Sequence, residues 1–169
     1  MKIVLFFTFD ISLSNWAKSG LLDREIILYK NLIKKGAEVI FITYGGLEDY
    51  EYQTNLGGIK IIPFYSIVKK PKSIIMAYVY SLFIPFYLRK ELKDVDILKT
   101  NQMWGSWSAL IAKFLFKKPL IVRCGFEKYY NLTHNSFGGI RETAWQIIAW
   151  PISFLAYYLS DSIILTSYL

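Results

Sequence analysis

Apolar, β-rich runs recur along the chain at Lys2–Phe7, Glu38–Thr43, Lys60–Phe64, Asp96–Thr100, Pro119–Cys124 and Ser162–Thr166. Longer stretches with helical spacing separate most of them. In Leu21–Lys35, Leu22, Ile26, Tyr29 and Ile33 fall on one face, and Lys34, Lys35 and Gly36 supply the basic residues and the glycine that close a helix. Ser106–Phe116 predicts another helix, stopped by Lys117-Lys118-Pro119, and Phe137–Leu159 a longer one kinked or broken at Pro151. Strands alternating with helices predict βαβ units and a parallel sheet. Right-handed crossovers with a reversal after the third strand give the order 3-2-1-4-5-6. The expected fold class is therefore α/β, a Rossmann-like doubly wound parallel sheet of about six strands in one domain over residues 1–169.

In such a sheet ligands bind outside the carboxyl ends of the strands. Three loops open there: Thr8–Gly20, Asn101–Gly105 and Gly125–Ser136. The first has one glycine, Gly20, where a dinucleotide fingerprint needs three, which argues against a nicotinamide or flavin cofactor. Ser19 and Gly20 precede the helix that starts near Leu21, so Ser19 reads either as a plain N-cap or, with Gly20, as part of a phosphate site on free backbone amides. The second loop, Thr100-Asn-Gln-Met-Trp-Gly-Ser-Trp107, holds two indoles and two amides around a glycine. Trp107 reads as packing at a helix start. Trp104 reads as an exposed platform for the C–H face of a sugar, with Asn101 and Gln102 for its hydroxyls, although a nucleobase would also stack there. After the fifth run, Arg123 can grip a phosphate and Glu127 can take a sugar hydroxyl proton; the alternative is an Arg123–Glu127 ion pair. Cys124 with His134 lacks an orienting third group, so a nucleophilic pair is disfavoured.

Charge adds a partner. The chain carries a net +7, in clusters at Lys34-Lys35, at Lys69, Lys70 and Lys72, at Arg89, Lys90 and Lys93, and at Lys117-Lys118. These flank apolar segments instead of forming one stripe, which favours an anionic lipid surface over nucleic acid. The segments are Ser73–Leu88 and Ala144–Leu159, each about 16 residues with one proline, short of the roughly 20 that span a bilayer. Burial against the sheet and shallow insertion into a membrane interface are the two competing readings. One cysteine rules out an internal disulfide, and no Cys and His cluster suggests a metal site. The start, "MKIVLFFTFD", has no cleavage site after it and reads as a strand.

Taken together, "SGLLDREIILYKNLIKKGAEVIFITYGG", "ILKTNQMWGSWSALIAKFLFKKPLIVRCGFE" and "SDSIILTS" resemble the N-terminal domain of GT-B glycosyltransferases of family 4. The resemblance implies the N-terminal half of a two-domain fold: this half binds the acceptor, the other binds a nucleotide-sugar donor, and transfer retains anomeric configuration without a metal or other cofactor. It implies that Gln102, Trp104, Arg123 and Glu127 line the acceptor side, and that Ser19 and Gly20 lie near the donor phosphates. The family's paired glycines are reduced here to Gly20, and its histidine after the fourth or fifth strand is missing, so no catalytic residue is assigned. The donor-binding domain is absent from this chain, which is then a fragment or one subunit of a split enzyme. The expected activity is glycosyl transfer in polysaccharide or glycolipid synthesis. The expected location is cytoplasmic, peripheral on the inner face of the membrane. The alternative is a non-catalytic, membrane-tethered subunit that recruits a separate catalytic chain.

Overall fold

The structure, a computed structural model, describes residues 1–125 and 140–165, with residues 140–149 as backbone only. Six strands, β1 (Lys2–Phe6), β2 (Glu38–Thr43), β3 (Lys60–Pro63), β4 (Ile97–Thr100), β5 (Leu120–Cys124) and β6 (Ser162–Leu165), form one all-parallel sheet. Its order is β3-β2-β1-β4-β5-β6, as the pattern predicts. The inner strands are apolar on both faces because helices cover both: Val4, Leu5, Ile40, Phe41, Leu98 and Val122 are all fully buried.

Two groups of helices cover the sheet. The first is α1 (Leu13–Lys18), α2 (Leu22–Lys34) and the 3-10 segment Leu47–Leu56, which pack together on the β1–β3 half. The second is α4 (Ile74–Leu82), α5 (Ile84–Tyr87), α6 (Arg89–Lys93), α7 (Ser106–Phe116) and α8 (Ile140–Leu159), with α7 at its centre touching the other four. A short α3 (Phe64–Ile67) follows β3. Right-handed crossovers running in opposite directions from β1 put the two groups on opposite faces.

The structure departs from expectation at three places. The first loop contains α1, whose Ser12 and Asn15 form a reciprocal capping box; Asn at the position where Glu or Gln usually sits hides the signal. Of a kink or a break at Pro151, the break does not occur: α8 runs through it, Pro151 is exposed, and a carbonyl freed there can turn to water. The apolar stretch after Ser73 divides at Phe83 into α4 and α5, with Pro85 tolerated in the first turn of α5. No helix among the described residues is long and apolar enough to cross a membrane.

Gly105 sets the approach of α7 to β1. Its φ is +102°, and a Cβ there would sit 2.7 Å from the Phe9 backbone nitrogen. Gly20 also has positive φ, +69°, but open space around it. Left-handed strain alone costs about 1–2 kcal/mol. Gly20→Ala should therefore lower the thermal midpoint by only about 2–6 °C, whereas Gly105→Ala, which adds a backbone collision, should cost at least about 3 kcal/mol and lower it by roughly 10 °C. Thermal unfolding followed by circular dichroism compares the two.

Candidate functional site

Parallel register brings the carboxyl ends of the central strands level, since Phe6 of β1 stands opposite both Ile42 of β2 and Thr100 of β4. The chain leaves the sheet there in the loops that the sequence marks as candidate ligand sites. In the loop after β4, the backbone N–H of Asn101 donates to Phe6 O at 2.8 Å and its side-chain amide donates to Thr8 Oγ1 at 3.2 Å. Asn101 is buried. Gln102 Oε1 accepts from the backbone N–H of Gly125 at 2.9 Å and so ties the ends of β4 and β5 together.

The expectation that Trp104 is an exposed platform is overturned. Its relative exposure is 6%. The ring stands edge-on to Tyr78 and Trp107, with centroids 6.3 and 5.3 Å away. Its carbonyl accepts from Phe9 N–H at 3.2 Å. The physical reason is α4, which returns over this loop and brings Tyr78 with it. Trp107 is the half-buried indole, and its N–H donates to Ser81 Oγ at 2.7 Å.

Ser19 and Gly20 are also placed differently from expectation. Ser19 caps the C-terminus of α1 instead of the N-terminus of α2, whose N-cap is Leu21. Its hydroxyl donates to Asn15 O and Trp16 O at 2.9 and 3.1 Å. The backbone amides of Ser19, Gly20 and Leu21 donate to Asn15 O, Ala17 O and Trp16 O, so they close α1 and are not free for a phosphate. An extra helix between β1 and α2 is what uses them.

Arg123 has a partner 98 residues away in sequence. Its Nη1 donates to Glu25 Oε2 at 2.5 Å and its Nη2 to Oε1 at 3.4 Å, a two-pronged bridge from β5 to α2. Glu127, the partner expected from sequence, lies outside the described residues, as does His134. Lys99 pairs with Ile121 across β4 and β5, so it shares a sheet face with Arg123. Lys99 is buried, with Nζ 3.0 Å from Tyr29 Oη and 3.4 Å from Thr100 O. Burial pulls its ammonium down to about 8, Arg123 reinforces this and Glu25 opposes it. Burial would raise the Glu25 carboxyl, but the hydrogen bond and charge of Arg123, with help from Arg24, hold it below its ordinary value. Tyr157 donates its hydroxyl to Cys124 Sγ at 3.0 Å. No group of three possible metal ligands occurs among the described residues.

A polar cleft on this edge lies beside β1 and β2, and the sequence does not announce it. It is a cleft of about 440 Å³ lined by Asp10, Ser14, Asn15, Tyr44, Tyr65 and Lys70 among others. One carboxylate fixes its two walls. Asp49 is fully buried and accepts from Thr43 Oγ1 at 2.5 Å, Leu13 N at 3.2 Å and Ser14 N at 3.3 Å, joining β2 to α1. Gly45 is required beside it, because a Cβ there would lie 2.1 Å from Asp49 Oδ2. Inside the cleft Asp10 has φ +60° and its Oδ1 accepts from Lys70 Nζ at 2.8 Å. Lys70 also stands over the Tyr65 ring, 5.2 Å from its centre. The Tyr65 hydroxyl oxygen is buried without a hydrogen-bond partner among the described residues. Burial first, and the Asp10 carboxylate second, push it up to about 12. The sequence signals that could have found the cleft are "TFD" after the first run and "TYGGLED" after the second, a double glycine followed by acids.

Lys99 yields a pH test. Below about pH 8 it is charged in both folded and unfolded chains, and the burial penalty is present in full. Between about pH 8 and its ordinary 10.5 the unfolded chain holds the proton and the folded chain releases it, so stability rises with pH. The rise is on the order of 3 kcal/mol in all, opposed above about pH 10 by tyrosine ionisation in the unfolded chain. Urea unfolding between pH 7.5 and 9.5 should show it in the wild type and not in Lys99→Met.

No family model matches this sequence, and no curated protein matches it. Among solved structures, the crystal structure of Acinetobacter baumannii MurG is similar over 99% of this chain and 42% of that one, with a TM-score of 0.56 and 12% identity. The chain thus spans less than half the length of that protein. At this identity the similarity speaks to fold alone: the six-stranded parallel sheet with its flanking helices is a Rossmann-like α/β arrangement shared with part of that protein.

Proposed function

We propose that this chain is the acceptor-binding half of a retaining, nucleotide-sugar-dependent glycosyltransferase that builds a polysaccharide or glycolipid at an anionic membrane surface. The observation that carries the reading is a GT-B-type sheet whose carboxyl edge holds a polar cleft with rigid walls. In such an enzyme the donor phosphates are gripped by a second domain. The part left to this half is to hold an acceptor hydroxyl in line with the anomeric carbon, which removes an entropic share of the barrier. No metal is needed where a leaving diphosphate is neutralised by donor-side cations and amides.

The helical layer around α7 supports a membrane setting. On α8, Trp150, Phe154 and Tyr158 stack one turn apart, with centroids 5.8 and 5.7 Å apart, and all three are exposed. Across α7, which exposes Phe114 and Leu115, helices α4 and α5 expose Ile75, Val79, Phe83 and Phe86. Scattered apolar residues are ordinary on a surface, but an aromatic ladder and two neighbouring apolar helix faces form a patch that water does not favour. Exposed Lys69, Lys72, Arg89, Lys90, Lys93 and Lys117 flank these helices and suit anionic headgroups. Burial describes one side of these segments, where Ala77, Ser81, Ile84 and Ala156 face inward, and the outward-facing neighbours support interfacial insertion. The second reading, a subunit that recruits a separate catalytic chain to the membrane, rests on the same patch.

The full-length protein should co-sediment with vesicles of 30% phosphatidylglycerol at low salt, about tenfold better than with pure phosphatidylcholine. Phe154→Asp and Phe86→Asp should each reduce binding at least about fivefold with unchanged thermal midpoints. Failure of the wild type to bind anionic vesicles removes the membrane assignment. Membranes carrying the protein should transfer labelled sugar from a uridine, guanosine or adenosine diphosphate donor into a lipid or polymer fraction. Transfer that appears only on adding a separately encoded donor-binding chain selects the subunit reading.

A further inference from the structure

Lys70 belongs to two parts of the molecule at once. Its Nζ donates to Asp10 Oδ1 at 2.8 Å, at the edge of the polar cleft, and it lies four residues before Ile74, where α4 begins. Lys69, Lys70 and Lys72 are all exposed, and Ile74, Ile75, Met76 and Val79, which follow them, are exposed as well. Cations that lead straight into an apolar helix face are what an anionic bilayer takes up.

The pair with Asp10 is a weak one. Its side chains are 57% and 40% exposed, and a pair this open to water shifts an equilibrium by no more than about fivefold. A lysine brought to an anionic leaflet gains about as much. With Lys69 and Lys72 drawing the segment to the surface, the leaflet sets many phosphates against one carboxylate. The loss of Lys70 is felt at Asp10, the third residue of a turn closed by Ile11 N–H to Thr8 O at 3.0 Å. Its φ of +60° is one that glycine or asparagine ordinarily takes in a turn, so the conformation needs restraint. Lys70 supplies restraint from the far side of β2, because Asp10 follows β1, Lys70 follows β3, and β2 lies between those strands. Tyr44 and Gly46, at the end of β2, line the same cleft. The Phe9–Tyr78 stack, with centroids 4.1 Å apart, ties the turn to α4 independently, so release of Lys70 loosens the turn without detaching it.

We infer that Lys70 is a strap released by the membrane. In solution it ties Asp10 across the end of β2; on an anionic bilayer its ammonium exchanges the Asp10 carboxylate for lipid phosphate and leaves that carboxylate to water. The inference rests on the membrane reading of α4 and goes beyond it by making the edge of the cleft respond to the surface.

The test compares full-length wild type, Asp10→Asn, Lys70→Gln and the double variant on the same phosphatidylglycerol vesicles at low salt. Asparagine suits left-handed backbone and both side chains are exposed, so thermal midpoints should stay within about 2 °C of the wild type. Lys70→Gln should weaken vesicle binding about threefold. Asp10→Asn, which frees Lys70 beforehand, should strengthen it about threefold. In the Lys70→Gln background Asp10→Asn should change binding by less than about 1.5-fold. Hydrogen exchange read by mass spectrometry should quicken about threefold or more at Ile11 on the anionic vesicles, and not with phosphatidylcholine or with inorganic phosphate. An equal gain from Asp10→Asn with and without Lys70 is a general field effect and overturns the strap. Unchanged exchange at Ile11 on vesicles that the wild type binds also overturns it, and leaves the membrane reading standing. Quickening by inorganic phosphate alone overturns the bilayer as the trigger. Absence of wild-type binding removes the strap and the membrane reading together.

Discussion

The rest of the structure depends on β1 lying between β2 and β4 in level parallel register. Phe6 opposes Ile42 on one side and Thr100 on the other, so three chain segments leave the sheet at one height. Those three segments must then share a crowded edge, and backbone groups there need partners. Phe7 N–H returns to Ile42 O, Phe9 N–H to Trp104 O, and Asn101 N–H to Phe6 O. The loops are stitched to one another before any ligand is considered, and Asp49 adds the stitch between β2 and α1. A shift of β1 by one residue would reverse its faces and separate all of these pairs.

How much of this is legible in the sequence depends on the range of the interaction. The inner strands are readable because a parallel strand buried on both faces is a continuous apolar run; β6 is apolar although exposed at the sheet's edge, and all six runs coincide with β1 to β6 within a residue or two. Their order follows from handedness alone. Helix α7 is readable to the residue, while α1 is hidden by an asparagine acting as the second half of a capping box. The site is far less legible. Trp104 misleads because its burial is decided by Tyr78 of α4, and Arg123 finds Glu25 on α2 instead of a neighbour in its own loop. Asp10 follows β1 while Tyr65 and Lys70 follow β3, and each alone looks like an ordinary surface residue.

The edge is also divided electrically. On the β4–β5 side, Lys99 and Arg123 lie against a single carboxylate, Glu25, inside a mostly buried cluster. Burying a second cation there carries a standing cost that shows in the depressed Lys99 ammonium. On the β1–β2 side the lining charges cancel. Two halves of one edge, a few strands apart, therefore present different chemistry: cationic and shielded on one side, neutral and open on the other.

That division bears on how such a domain can act at a surface. The apolar layer belongs to the face of α4, α5, α7 and α8, while α1 and the double-glycine turn that wall the cleft belong to the opposite group of elements. One link between them is the connection after α3, where Lys70 bonds Asp10 and the exposed Lys69 and Lys72 stand on either side, leading into α4. A bilayer that drew in those lysines and the α4 face would bear directly on the segment that holds Asp10. Beyond α4, Ile84, Leu88 and Leu92 anchor the chain in the core. The fold thus sets a short basic segment beside both its apolar face and its polar cleft, next to the Phe9–Tyr78 stack and the Tyr44–Ser108 contact that also join the two.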